Sequence, residues 1–504
     1  MQPLSKNIIR APIANAGEFV QRASSTLLRV IFVSAGIAAC GLFAIHLISL
    51  PDKWLVASVA GLLAAIAIVV LGNRHLVFVA GLGFSLPLLN LDVTLYHHPE
   101  LAADYYLAFG LMDIALIAAW ANYYLSVPMA ERKPLSASAL RWLLPGLLIL
   151  SAFSIHAASI ANMALFEWLR LFKMILLVYV TAQCVNDRRA LHAAIIAVLV
   201  ITIGEGLLAM AQQQSGGRLG FEVLGEAEYV MTHDLEAGHS ATRVGGTLGH
   251  PNHLARFLGF VLPLALAIFV SPMGKWSRRL AALTLLAAGI ALITTLSRAA
   301  WIGVAAGSAL VFYAALKRQE LRGMAFRSLR LVMVLIVPMV LVNLNTLITR
   351  FSGDDQGSFA TRGPMARVAA HVIEDNPVLG VGIGNYRLSL PNYGDPESPF
   401  TFQAKVHNVF LLVAAEMGIP SLLLLLAILL VTIRMCFRMM RAQSSQNAIL
   451  SAGLAGGILA FCIHSMVDYA EISRLPILWF YVGLVWAMMR LEGANPKAQK
   501  TNPK

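Results

Sequence analysis

The sequence predicts an all-α, polytopic integral membrane protein with about fourteen transmembrane helices and two long loops on one side of the membrane. Three observations carry this. Of 504 residues, 58% are hydrophobic and only 13% charged, with a mean hydropathy of +0.72, a balance that no water-soluble globule of this size has. Apolar runs long enough to cross about 30 Å of hydrocarbon recur along the chain, separated by short polar stretches. The cations are sorted: most of the 38 Lys and Arg fall at alternate helix ends, as the positive-inside bias requires.

In chain order, residues 1–29 form a polar, mildly basic tail assigned to the cytoplasm. The apolar run Val30 to Leu50 is too long for a signal-peptide core and reads as a retained first helix. Helices over 30–50, 54–71, 75–91, 104–125, 141–157, 165–183 and 191–211 make up the segment 30–211. A first long outer loop covers 212–251. The segment 252–349 holds helices at 252–271, 278–296, 299–316 and 328–349. A second long outer loop covers 350–406, where "TRGPMARVAAHVIEDNP" (361–377) has helical character ended by Pro377. Helices at 407–433, 447–467 and 474–490 fill 407–490, and 491–504 is a second cytoplasmic tail. Loops of this length usually carry function.

The net charge of +12 is explained by membrane sorting, so nucleic acid is not a partner. Cys40, Cys184, Cys436 and Cys462 share no polar loop and form no disulfide framework or metal-ligand spacing. The informative cations break the sorting rule. Arg170 and Lys173 sit inside a helix in "LFEWLRLFKMILL", where charge is expensive; function and salt bridges to Glu167 or Glu416 both account for them. Arg256, Arg298 and Arg474 mark outer helix mouths, and Arg243, Arg362, Arg367, Arg387 and Lys405 lie in the outer loops.

Five stretches concentrate polar chemistry. "TRVGGTLGHPNHLARFL" (242–258) places Asn252 and His253 where Pro251 starts a helix; capping and a site are both open. His233, Asp234, Glu236, His239, His250 and His253 lack HExxH or comparable spacing, so no metal is assigned. "TLSRAAWIG" (295–303) puts Arg298 on a tight outer turn at a helix N-terminus, a plausible anion site. "NPVLGVGIGNYR" (376–387) has no βαβ context for nucleotide binding and reads as a surface turn. "HSMVDYAEISRLPILWF" (464–480) sets His464 and Asp468 four apart, either orienting one another or forming a buried polar pair.

"KVHNVFLLVAAEMGIPSLLLLL" opens an apolar helix with His407 and Asn408, and Lys405 marks contact with water. Glu416 lies nine residues on, about 180° around a regular helix, so it is a structural partner at the Gly418–Pro420 kink rather than a base beside His407.

"GTLGHPNHLA", "LSRAAWIG", "NPVLGVGIGNYR" and "HNVFLLVAAEMGIPSLLLLL", in this order over about 240–480, resemble the O-antigen ligase/polymerase superfamily. That group includes Wzy-type polymerases, ligases joining O-antigen to lipid A–core, and protein O-oligosaccharyltransferases. The resemblance implies a GT-C-like, metal-independent and cofactor-free transferase of the bacterial inner membrane. Its donor would be an undecaprenyl-diphosphate-linked glycan and its acceptor a glycan or lipid A–core, handled at the periplasmic face among membrane lipids, with a chain-length regulator as a candidate partner. By motif position His407 matches the catalytic His, Arg298 an essential Arg, and Arg362 or Arg367 a loop Arg; Arg243 joins these as a donor-diphosphate candidate. Asn408, Asn252, His253, His464, Asp468 and Arg170 are supporting candidates.

The chemistry agrees with that set. Attack at an anomeric carbon expels a lipid diphosphate whose developing charge needs cations, and arginines supply them by forked hydrogen bonds. The acceptor hydroxyl needs a base, and imidazole suits neutral pH. Polymerisation of O-antigen or exopolysaccharide repeat units is the favoured expectation, ligation to lipid A–core the alternative, and protein glycosylation less favoured. A transporter or flippase is the rival of a different class, but no internal repeat supports it.

Overall fold

A computed structural model describes residues 52–97, 106–132, 134–135, 137–227, 231–234, 240–342, 362–393, 405–442 and 444–493. The predicted helix at 30–50, the tail 1–29 and residues 494–504 of the second tail lie outside the described residues. The chain divides into two units, 1–65 and 66–504. Helices α1 (Asp52–Leu71), α2 (Arg74–Phe84), α3 (Leu111–Ser126), α4 (Leu140–Ser154), α5 (Ala161–Cys184) and α6 (Arg188–Ser215) come first. They are followed by α7 (Pro251–Val270), α8 (Lys275–Thr294), α9 (Arg298–Leu316) and α10 (Gln319–Val342). A loop helix α11 (Arg362–Asp375) precedes α12 (Val409–Met440), α13 (Ser445–Ser465) and α14 (Pro476–Gly493).

Seven of these helices (α6 to α9, α12, α13, and α4 with its terminal turn) are long and apolar enough to cross a membrane. Side chains such as Leu125, Val69 and Trp142 are left largely exposed on the outside. The protein is a multi-pass membrane protein. The expected count of about fourteen exceeds these seven for visible reasons. Helix α5 carries Glu167, Arg170 and Lys173, and α2 is only 11 residues long.

Four predicted boundaries move by seven residues or more: α10 begins at Gln319 rather than 328, α12 runs to Met440 rather than 433, and two flank a hairpin. The helix expected over 75–91 ends at Phe84, ahead of Pro87, and the one expected over 104–125 begins at Leu111, where Asp113 accepts the Gly110 amide at 2.8 Å. Between them strands β1 (Asp92–His97) and β2 (Tyr106–Gly110) form an antiparallel hairpin. A second hairpin, β3 (Met231–Asp234) with β4 (Ser240–Arg243), lies in the first long loop. Neither was expected from sequence.

The buried axis is α7 and α13, with α9 packed against both. Lipid tails are as apolar as leucine, so close approach rather than hydrophobicity must hold these helices together. Gly303 and Gly307 of α9 face Ala460 and Gly456 of α13; a Cβ on Gly456 would stand 2.6 Å from the Gly307 carbonyl oxygen and 2.9 Å from Pro263.

The 376–387 motif is a buried clasp, not the expected surface turn. Helix α12 breaks at Gly418 (φ 80°, ψ 166°), and the motif docks into the break. The Val381 amide donates to Ala415 O at 2.9 Å and the Ile419 amide to Pro377 O at 2.8 Å. Glu416 accepts the Gly384 amide there, consistent with a structural part at the kink. Asn385 accepts the Ile160 amide at 2.9 Å and Ser154 the Ile383 amide at 3.2 Å. The second long loop is thereby seated on α12 and the α4–α5 junction, with α11 packed on α12 as the helical character of 361–377 predicts.

A valine at Gly456 should lower stability by at least 1–3 kcal/mol through overpacking, read as the melting temperature of the purified protein in detergent. Gly289→Ala, where an added Cβ meets nothing within 4 Å, is the control. Equal melting of both variants would refute the packing account.

Candidate active site

The polar residues singled out in sequence converge on one carboxylate. Asp468 lies in the segment between α13 and α14 and is 3% exposed. It forms an ion pair with Arg256 of α7, whose Nη2 also donates to Tyr469 O at 2.7 Å. Asn252, one turn earlier on α7, donates to Asp468 Oδ1 at 3.3 Å. His407 Nδ1 stands 3.5 Å from Oδ1, and His464 Nε2 stands 3.5 Å from Oδ2. Burial alone would raise the Asp468 carboxyl. Arg256 first, then His407 and the nearby histidines, outweigh burial and hold it well below the usual carboxylate range.

His407 is held by its neighbours in sequence. Residues 405–408 run antiparallel to 466–471, tied by a Lys405–Glu471 ion pair, by His407 against Asp468, and by Asn408 Nδ2 donating to Met466 O at 3.1 Å. Asn408 is the N-cap of α12, accepting the Phe410 and Leu411 amides at 2.9 and 3.1 Å. The cap is therefore Asn408, and His407 is released for other work. Lys405 does not meet water as expected; its side chain is 13% exposed beside Glu471, which keeps its ammonium charged against the effect of burial. The His407 ring lies edge-on to Tyr469 at 5.3 Å between centroids, and its side chain is 27% exposed. Nδ1 is turned to Asp468.

The turn before α9 is bent sharply. Leu296 adopts φ +54°, the single non-glycine residue in the left-handed region among the described residues, and such strain concentrates at functional sites. Ser297 does not cap α9 with its hydroxyl, which points instead to His464 Nε2 at 3.4 Å. Arg298 follows as the first helical residue. Arg243 braces this turn, donating to Thr295 O and to Asn252 Oδ1, both at 2.9 Å. A line of contacts thus runs from Arg243 through Asn252 to Asp468 and His407.

Arg362 opens α11 and lies close enough to His464 to act on it electrostatically. Arg367 is five residues on, about 140° around the helix, and is exposed. Arg362 acts on His464, and the Arg367 guanidinium lies back toward Gly363.

Arg170 stands apart from this cluster. It shares Glu167 with Arg474, while Ser473 donates to Glu167 Oε2 at 2.7 Å. Lys173 pairs with Asp113 of α3 at 3.0 Å rather than with Glu167 or Glu416. Arg170, Lys173, Asp113, Ser473 and Arg474 line a cavity of about 490 Å³, within the ~300–1,000 Å³ range of ligand pockets. The cavity meets the His407 cluster at Arg256, His253 and Tyr469.

Arg256 and Ser297 were not among the sequence candidates. Arg256 was visible as an unsorted outer cation; nothing in the sequence pairs it with Asp468, 212 residues away. Among the described residues no three His, Cys, Asp or Glu side chains are placed to hold a metal ion. Of the histidine-rich stretch, 235–239 lies outside the described residues.

His250 caps α7, its Nδ1 accepting the Asn252 amide at 3.1 Å. Burial, then repulsion by His253, push it down to about 3 from an ordinary 6.5, against the pull of Asp468. The folded protein therefore refuses a proton that the unfolded chain accepts below about pH 6.5, and stability should fall as pH drops from there. His250→Asn retains a cap without the titration and should flatten the melting temperature between pH 7 and 5; identical slopes would refute this.

Residues 281–426 match a family model described as O-antigen ligase. No curated protein sequence matches the chain. The matched segment contains Arg298, Arg362, Arg367, the 376–387 clasp and His407, while Asn252, Arg256, His464 and Asp468 lie outside it. Over that segment the chain is similar to the O-antigen ligase family, in line with the superfamily resemblance of its motifs.

Proposed function

We propose that the protein is a metal-independent, GT-C-like glycosyltransferase of the bacterial inner membrane, with both termini cytoplasmic and its site facing the periplasm. The observation that carries this is a partly exposed imidazole held by a buried carboxylate, with Arg298 and Arg362 each at a helix N-terminus. His407 Nε2 takes the proton of the acceptor hydroxyl as its oxygen bonds to the anomeric carbon. The bond from that carbon to the diphosphate oxygen breaks, and the electron pair leaves on the undecaprenyl diphosphate. Arg298 and Arg362 bind the departing diphosphate, helped by the amide donors at their helix starts. Asp468 orients His407 and stabilises the imidazolium. Arg243 and Asn252 position the Arg298 turn against Asp468.

Polymerisation of O-antigen or exopolysaccharide repeat units is the favoured reaction. The description of the matched family favours a second one, ligation to lipid A–core. Deleting the gene separates them. Single repeats remaining on lipid A–core indicate a polymerase, and lipid-linked polymer accumulating unligated indicates a ligase. Unchanged glycan with altered solute flux would refute both. Labelling of a Ser358→Cys variant from the periplasm is expected; labelling from the cytoplasm alone would overturn the orientation.

Transfer from purified lipid-linked donor, with chelator present, tests the residues. A positioned base contributes about 10²–10⁴-fold, so His407→Asn should retain less than about 1% of turnover while folding normally. Retention of more than about a tenth would reduce His407 to a surface contact. Arg298→Lys keeps the charge but loses the fork, and a fall of at least about tenfold is expected. Near-normal transfer by Arg298→Ala would remove it from the site.

A further inference from the structure

The 490 Å³ cavity beside the His407 cluster is used by nothing in the mechanism above. Its wall carries six guanidinium or ammonium groups (Arg170, Lys173, Arg256, Arg387, Lys405 and Arg474) against three carboxylates. Glu167, Asp468 and Glu416, behind the wall, act on Arg474, Arg256 and Lys405, so the cationic excess belongs to the wall itself. Arg387 is exposed and makes no ion pair among the described residues. A cationic excess inside low-dielectric walls raises the local concentration of anions, and arginines grip carboxylate and phosphate by forked bonds. The remaining lining is mixed. Asn90 and Ser473 offer hydrogen bonds, and Leu86, Met112 and Phe257 offer apolar surface, a combination suited to the two faces of a sugar ring.

We propose that this cavity is a subsite for an acidic sugar of the acceptor glycan, one bearing a carboxylate or a phosphate ester. The assignment rests on the transfer reading only in calling the ligand an acceptor. The cavity reaches the cluster through Arg256, which pairs with Asp468, and Tyr469, whose ring lies against His407. A sugar bound there places a neighbouring residue's hydroxyl near the imidazole. The diphosphate cations Arg298 and Arg362 are not part of the cavity lining, so donor charge and acceptor charge are held at separate places.

The test is equilibrium binding to the purified wild-type protein without donor, using a glucuronate-containing disaccharide and its uncharged methyl ester. The acid should bind about tenfold more tightly than the ester, the scale of one or two hydrogen bonds to a charged group. Arg387→Gln should remove most of that difference while leaving the ester unchanged. Equal binding of acid and ester, or an unaltered preference in Arg387→Gln, would overturn the proposal. Displacement of the disaccharide by farnesyl diphosphate would also overturn it, by giving the cavity to the donor. No turnover enters this measurement, so an active His407→Asn variant would sink the catalytic reading and leave the binding result standing.

Discussion

The buried ion pair between Arg256 and Asp468 is the constraint on which the rest of the site depends. A carboxylate that is 3% exposed at the end of a helix bundle loses most of its hydration, and only close compensation makes the charged form stable. Arg256 and Asn252 supply it from α7, His464 from α13 and His407 from the start of α12. Three elements distant in sequence are therefore registered against one pair of oxygens. Removing one partner of such a pair typically costs about 3–5 kcal/mol, which makes the arrangement all-or-none rather than adjustable.

The same pair explains why a histidine can stand at a helix mouth without being a cap. Asn408 satisfies the first amides of α12 and reaches across to Met466 O, two residues before Asp468. Its cap fixes the angle at which α12 leaves the surface, and the Lys405–Glu471 pair fixes the chain on the other side of His407. Between these ties the imidazole has one direction left for Nδ1. Ser297 contributes similarly at α9. It gives its hydroxyl to His464 rather than to the helix, which leaves the strained turn at Leu296 and the N-terminus of α9 turned to the same place. The clasp of 376–387 into the Gly418 break supports all of this from below, because it fixes the loop that carries Arg362 to the helix that carries His407.

Much of the fold was legible because its signals are local. Apolar length located the helices from α1 to α14, and Pro377 and the 361–377 pattern located α11. Local signals also marked His407, Asn252, His464 and Asp468 as polar residues at helix mouths on one side. What could not be read is what distance in sequence hides. No spacing rule joins Arg256 to Asp468 or Lys173 to Asp113. The clasp was missed because positive-φ glycines in a surface turn and in a buried one look alike; the deciding feature is Gly418, thirty-odd residues further on. Arg362 and Arg367 lie about 140° apart around α11, and the sequence alone does not choose between them. The hairpins escaped because strands of four to six residues in an apolar chain leave little pattern.

The central claim is that His407 and Asp468 act as one unit, and a double-mutant cycle tests it most directly. Transfer by His407→Asn, Asp468→Asn and the double variant would be compared with wild type in the same reconstituted assay, at matched folded protein. If Asp468 works through the imidazole, the double variant should be no slower than His407→Asn alone, because the carboxylate has nothing left to orient. Losses that multiply would contradict the account and give Asp468 a separate task.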